Sequence, residues 1–371
     1  MLKKAVPFIM WITNVGRNLD KGVLGMTTET TFWTIDHNEK TNQVAIQAAA
    51  TLLNNDEVVA FPTETVYGLG ANATKEQAVS KIFKAKGRPS DNPLIVHVAN
   101  QQQIEKYVTV VPDVAKKLMD AFMPGALTII LKSNGTIAKN VTAGLDTVAL
   151  RIPNHPVAIE LLEQANIPLA APSANLSGKP SPTTAAHVFQ DLNGKIAGIL
   201  DGGPTGIGLE STVLDCTGDV PVILRPGGVT KEELEQVVDN VLIDPALIKT
   251  QDKPKAPGMK YNHYEPEAPL WLIDGDGAFF QQQVEEQRAA GKKLGIIASK
   301  ELAEQIQASD IKVCGTREDL KTVAVHLYDT LRAFKKSDVD LILCETFPEA
   351  GVGQAIMNRL NKAATKKIKK N

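Results

Sequence analysis

Residues Val58 to Ala73 read Val-Val-Ala-Phe-Pro-Thr-Glu-Thr-Val-Tyr-Gly-Leu-Gly-Ala-Asn-Ala, and no other stretch constrains the chain as much. Val58, Val59, Ala60 and Phe61 form a short apolar, β-branched run that reads as a buried strand. Pro62 ends it, because proline has no N–H to give to a sheet ladder. The strand therefore delivers Thr63, Glu64 and Thr65 at its carboxyl end, where open α/β sheets bind ligands. Gly68 and Gly70 just beyond would let backbone pass close to a ligand. Several later segments repeat this pattern of a strand followed by a polar mouth punctuated by Pro and Gly.

A chain of 371 residues exceeds what one hydrophobic core usually serves, so two domains are expected. The net charge of -2 gives no general attraction for nucleic acid, and any polyanion must be held by a local basic patch. Cys216, Cys314 and Cys344 are widely spaced with no CxxC. They argue against a disulfide framework or a zinc site, fit a reducing cytoplasm and read as small buried hydrophobes.

Residues 1–25 differ from the rest. Lys3 and Lys4 precede a short apolar run, but Pro7 interrupts it and no A-x-A cleavage site follows, so export is not expected. Lys21-Gly22-Val23 can be encoded by AAA-GGA-GTN, a ribosome-binding sequence upstream of Met26. On that reading translation starts at Met26 and residues 1–25 are a non-native leader or a disordered extension.

Alternating helices and strands from residue 36 to 242 indicate an α/β domain. A helix is expected over Gln43–Asn54 and another over Lys75–Lys86, capped by Gly87. Strands follow at Leu94–Val98, Leu127–Leu131 and Thr147–Ile152, and three short ones lie between residues 199 and 228. A closing helix is expected from Lys231 to Asn240. Residues 243–268 read as an extended linker in which Tyr261, His263 and Tyr264 suggest packing on a neighbour. Residues 269–371 read as a small open α/β domain with a parallel sheet, ending in a helix over Gly353–Lys366 and a solvated lysine tail.

Neither a P-loop nor a G-x-G-x-x-G fingerprint is present, and no nucleophile elbow or metal-spaced His/Cys/Asp cluster occurs. The strand mouths instead gather cations and small hydroxyls: Lys84, Lys86 and Arg88, then Arg151, then Ser173, Asn175, Ser177 and Ser181, then Ser211 and Arg225. Guanidinium groups make two-pronged, charge-assisted bonds to phosphate or carboxylate. The set predicts an anionic substrate such as a nucleoside triphosphate, handled by positioning and charge neutralisation. His97, inside an apolar strand, reads either as a satisfied core histidine or as a ligand contact.

Four segments carry a resemblance to a known family: Phe61–Gly70, Lys84–Leu94 (Lys-Ala-Lys-Gly-Arg-Pro-Ser-Asp-Asn-Pro-Leu), Ala171–Asn175 and Glu210-Ser-Thr-Val213. They resemble the YrdC-like domain of threonylcarbamoyl-AMP synthases, and Pro257-Gly-Met-Lys-Tyr-Asn-His-Tyr264 with the small domain resembles the two-domain form. The resemblance implies a YrdC-like twisted open sheet with helices, a linker that closes over the active site, and a small Rossmann-like parallel domain. It implies synthesis of threonylcarbamoyl-AMP and pyrophosphate from L-threonine, bicarbonate or CO₂ and ATP, with Mg²⁺ and no metal held by protein side chains. The product would feed threonylcarbamoyladenosine formation in tRNA through downstream transfer proteins, with at most a weak tRNA contact and no membrane. By the same resemblance Lys86 and Arg88 are catalytic, and Thr65, His97, Arg151, Ala171 and Ser211 surround threonine. Arg88, Asn92, Thr147, Ser173, Asn175, Ser181, Arg225, Tyr261 and His263 would contact ATP. Two alternatives stay open at this point, a carbamoyltransferase sharing the domain and a non-catalytic RNA-binding module. The former is disfavoured by the lack of CxxC motifs, the latter by the net charge.

Overall fold

The computed structural model describes residues 29–245, 263–334 and 338–370. The proposed leader, Tyr261 and most of the 243–268 segment lie outside these residues.

The large domain is built on eleven strands: β1 (Thr31–Thr34), β2 (Val59–Phe61), β3 (Gly68–Asn72), β4 (Ile95–His97), β5 (Leu127–Lys132), β6 (Thr147–Arg151), β7 (Leu169–Ala170), β8 (Gly198–Asp201), β9 (Thr212–Asp215), β10 (Val222–Arg225) and β11 (Leu242–Ile243). They form one sheet in the order β1-β8-β2-β3-β7-β4-β6-β5-β9-β10-β11. The sheet is mixed: β1, β2 and β8 run parallel, as do β4 and β6, whereas β7 is antiparallel to both β3 and β4. The domain also begins before residue 36, because Thr31–Thr34 pairs along β8.

The glycines after Phe61 serve a purpose the sequence does not reveal. Gly68–Asn72 is itself a strand, antiparallel to β2, and not an open turn. A Cβ on Gly70 would come within 2.9 Å of the Phe61 ring, so small residues here let the aromatic lie flat on the neighbouring strand. Two apolar layers cover the sheet. Helices Glu39–Asn54 and Pro156–Ala165 pack with Phe61 and Leu200 on one side. Helices Glu76–Lys86, Asp113–Phe122 and Ala185–Leu192 pack on the other, with Val96, Ile129 and Leu150. Helix Glu76–Lys86 stops at Gly87, whose φ of 61° is the left-handed cap expected of glycine. The closing helix is shorter than expected, Lys231–Glu235, with a Thr230–Glu233 capping box at its start.

The small domain carries β12 (Leu270–Asp274), β13 (Leu294–Ala298), β14 (Ile311–Val313), β15 (Leu341–Glu345) and β16 (Lys366–Lys369). All pairings are parallel, in the order β14-β13-β15-β12-β16. The last helix, Val352–Ala363, ends earlier than expected, and the lysine cluster is an edge strand and not a tail. Ile368 turns inward while Lys366 lies over the Trp271 ring and Lys367 pairs with Asp274. Lysines on an outer strand blunt its unpaired edge against further strand addition. The three cysteines are free and buried.

Candidate active site

β4 and β6 run side by side with His97 opposite Arg151 and Ile95 opposite Ala149. Because alternate residues share a face, the apolar layer of Ile95, Ala149, Val213 and Leu224 continues into His97 and Arg151 two residues on. This face opens into a cleft that is partly open to solvent. The cleft crosses the strands and does not sit at one carboxyl edge. The antiparallel β7 brings Ala171, Pro172 and Ser173 to it from the opposite direction, with the Ala171 N–H donating to the Ile95 carbonyl at 2.9 Å.

Of the residues expected at the site, Arg88, His97, Arg151, Ala171, Ser173, Asn175, Ser181, Ser211, Arg225 and His263 line this cleft. Arg88 follows the Gly87 cap, and its Nη2 donates to the Asn92 carbonyl at 3.3 Å. Arg225 ends β10, and its Nε and Nη2 donate to the Ser211 carbonyl at 3.2 and 2.8 Å. The Ser211 hydroxyl is paired with Thr128 Oγ1 at 2.7 Å. Gly227 is required behind this wall, since a Cβ there would meet the Glu210 carbonyl oxygen at 2.3 Å.

His97 is buried edge-on against Phe61, and its Nδ1 has no hydrogen-bond partner among the described residues. Burial, and then the neighbouring Arg151, push its pKa down to about 3, so the ring is neutral. A buried ring nitrogen without a partner, on a residue that lines a cleft, is a position for a ligand hydroxyl or amine. Arg151 donates from Nε to the Gly125 carbonyl at 3.1 Å, and its Nη2 lies 2.7 Å from Glu64 Oε1.

Four of the expected residues do not line this cleft. Lys86 does not face the cleft: its ammonium is buried beneath the Ser173–Asn175 loop and donates to the carbonyls of Ser173 and Asn175 at 2.5 and 2.6 Å. Burial, then Arg88, lowers its pKa well below the usual lysine value. It fixes the loop from below. Thr65 is fully buried behind Thr63, with 2.8 Å between their hydroxyls, and Thr63 is the one that lines the cleft. Thr147 begins β6, at the opposite end of that strand from Arg151, and is not part of the lining. Asn92 is buried off the cleft with neither side-chain polar atom hydrogen-bonded among the described residues. Tyr261 lies outside the described residues.

Ser173 and Asn175 shape their own loop. The Ser173 hydroxyl donates to Asn175 Oδ1 at 2.5 Å, and Asn175 Nδ2 donates to the carbonyls of Leu176 and Lys179 at 2.7 and 2.8 Å. His263 and Tyr264 close one side. Tyr264 has a φ of 66° and stacks on Tyr328 of the small domain at 5.3 Å between ring centroids. The following residues grip the loop opposite, through Glu265 N–H to the Gly178 carbonyl at 2.9 Å and a Lys179–Glu267 ion pair at 2.8 Å.

Glu210 lines the cleft although the sequence assigned it no role. It accepts from the hydroxyls of Ser181 at 2.6 Å and Tyr328 at 2.7 Å, and pairs with Arg359 at 3.0 Å. Burial opposes its ionisation, but Arg359 and Arg225 overcome that and hold the carboxyl down to about 2. Its partners in the small domain are more than 100 residues away in sequence, so no local pattern could have pointed to it. Among the described residues no group of three or more His, Cys, Asp or Glu could hold a metal ion.

Fold and site define a two-domain α/β protein with a cationic cleft in its large domain, closed on one side by His263 and Tyr264. Residues 51–227 match the family model described as Telomere recombination, and residues 229–365 match that of the Threonylcarbamoyl-AMP synthase, C-terminal domain. The threonylcarbamoyl-AMP synthase of Bacillus subtilis (strain 168) is 54% identical over 335 residues, covering 90% of this chain and 97% of that protein. The protein of the same name from Pyrococcus abyssi is 46% identical over 339 residues, covering 90% and 98%. The crystal structure of P. abyssi Sua5 complexed with L-threonine superposes with a TM-score of 0.85 at 43% identity, covering 92% of this chain and all of that one. The chain belongs to the threonylcarbamoyl-AMP synthase family, in its two-domain form.

Proposed function

We propose that this protein is a threonylcarbamoyl-AMP synthase, a nucleotidyltransferase that converts L-threonine, bicarbonate and ATP into threonylcarbamoyl-AMP, pyrophosphate and water. The observation that carries the reading is the convergence in one cleft of Arg88, Arg151 and Arg225 with the neutral, unpartnered Nδ1 of His97. Three guanidinium groups ask for a ligand with several negative charges, and the buried imidazole asks for a small polar group beside them. ATP and a carbamylated amino acid supply both. The relatives named for this activity and the threonine-bound P. abyssi structure support the assignment.

Arg151 takes the threonine carboxylate, which replaces Glu64 at its Nη2, and His97 Nδ1 meets the threonine hydroxyl or amine. Bicarbonate takes up a proton and loses water to give CO₂, the neutral amine adds to that CO₂ and releases a proton to give a carbamate, and a carbamate oxygen attacks the α-phosphorus in line as the bond to the pyrophosphate oxygen breaks. Arg88 and Arg225 neutralise charge on the departing pyrophosphate while Lys86, from beneath, keeps the Ser173–Asn175 loop in place. Magnesium carried by ATP adds further charge neutralisation when bound. His263 and Tyr264 exclude water from two labile groups, the carbamate and the mixed anhydride. The product is passed, in the cytoplasm, to the proteins that transfer threonylcarbamoyl to tRNA. No described helix is long and apolar enough to cross a membrane.

The test is pyrophosphate release from Mg-ATP and bicarbonate by purified protein, with and without L-threonine, with the nucleotide product identified by mass spectrometry. Threonine-dependent release with threonylcarbamoyl-AMP is the expected result. Release independent of threonine would overturn the assignment.

A further inference from the structure

Two arginines of the small domain are buried in the large one. Arg332, on helix Leu320–Ala333, donates from Nε and Nη2 to the Pro180 carbonyl at 3.1 and 2.5 Å, and its Nη1 and Nη2 reach Asp191 at 3.3 and 2.8 Å. Arg359, on helix Val352–Ala363, is fully buried and pairs with Glu210 while its Nη1 donates to the Pro226 carbonyl. Both struts end on the cleft wall. Pro180 immediately precedes Ser181, whose hydroxyl is held by Glu210, and Pro226 immediately follows Arg225.

The charges matter as much as the contacts. Glu210 lines the cleft together with Arg225, and an unpaired carboxylate there would cancel that cation and repel phosphate. Arg359 supplies the compensating charge, and Tyr328 occupies a further lone pair at 2.7 Å. The group of Arg225, Glu210 and Arg359 therefore carries one net positive charge facing an anion site.

We infer that the small domain is a working part of the nucleotide half of the site, with Arg359 and Tyr328 as positioning residues that act through Glu210 on Ser181 and Arg225. The inference rests on the reading of the cleft as an ATP site. It explains why a domain with no lining of its own beyond the packing of Tyr264 is attached to this cleft.

The test uses the full chain carrying Arg359→Met, Tyr328→Phe, or the pair Glu210→Gln with Arg359→Met. Calorimetry with Mg-ATP and with L-threonine gives the two dissociation constants, and thermal unfolding gives Tm. Arg359→Met is expected to weaken ATP binding about tenfold or more while threonine binding stays within about twofold, since a buried charge that loses its partner is heavily penalised. Tyr328→Phe should weaken ATP binding less, about threefold, because Glu210 keeps its Arg359 and Ser181 partners and the lost bond reaches the nucleotide only through them. The double variant should recover most of the loss, because the stranded carboxylate is gone. Unchanged ATP affinity in a folded Arg359→Met or Tyr328→Phe protein would overturn the inference, and so would equal losses for ATP and threonine or a double variant no better than the single one. If Arg359→Met does not fold, Tyr328→Phe decides. Pyrophosphate release by the unaltered protein tests the proposed reaction separately, and ATP affinities still decide the inference if that reaction fails.

Discussion

The two sheets of this molecule both end in clusters of polar residues, and they treat those residues in opposite ways. At the carboxyl ends of the small domain's strands, Glu345 is closed off internally. It accepts from the Ser299 N–H and from Arg317 Nε, the latter at 2.7 Å, while Thr346 donates to Asp274 at 3.1 Å. In the large domain His97, which lines the cleft, keeps its buried Nδ1 without a hydrogen-bond partner among the described residues. A buried polar group without a partner costs about 1–3 kcal/mol, so it persists where function requires it. The contrast separates a polar cluster that holds a fold together from one that waits for a ligand.

Breaking the site should therefore cost turnover, and breaking the other cluster should cost stability. Arg88→Ala is expected to lower the rate of pyrophosphate release by about 10²-fold or more with little change in Tm, as for loss of a preorganised transition-state donor. A folded variant with near-full activity would remove Arg88 from the chemistry. Glu345→Ala should do the reverse. Losing a buried acceptor and its ion pair with Arg317 should lower unfolding stability by about 1–3 kcal/mol in denaturant titrations, with turnover at saturating substrate unchanged.

His97→Asn sharpens the comparison through pH. The folded protein keeps His97 neutral down to about 3, whereas the unfolded chain binds that proton near the ordinary histidine value of 6.5. The unfolded state therefore holds more protons in this window, and stability falls as pH drops from 6.5 toward 3. Denaturant midpoints at pH 6.5 and 4.5 should converge in His97→Asn compared with the parent. An identical pH dependence would mean that His97 titrates normally in the fold. The smallest effect is expected at the surface: Lys367→Ala, which removes an exposed partner of Asp274 at 3.5 Å, should leave both Tm and turnover where they were.

Much of the fold could be read locally. The periodicity of Glu39–Asn54, the Gly87 cap and the short β-branched strands depend on neighbours in sequence, and they lie within a few residues of where pattern and propensity put them. The site was legible as a set of residue types near strand ends. Its geometry was not, because strand direction is set by partners far away. The antiparallel placement of β7 turned an expected sheet edge into a cleft across the sheet and carried the Ser173–Asn175 loop over Lys86. Gly70 was misread for a similar reason: its smallness answers to Phe61 on the adjacent strand and not to a ligand.

The amino-acid sequence by itself determined the two α/β units and most of the polar side chains that line the cleft, because helix caps, strand runs and the placing of arginines at strand ends are local properties. Only the tertiary structure decided which of those side chains share a cleft and that Glu210 is among them. It alone assigned Arg359 and Tyr328 to the wall behind it. Burial and charge compensation are properties of what surrounds a residue, and here the surroundings are supplied by segments 118 and 149 residues along the chain.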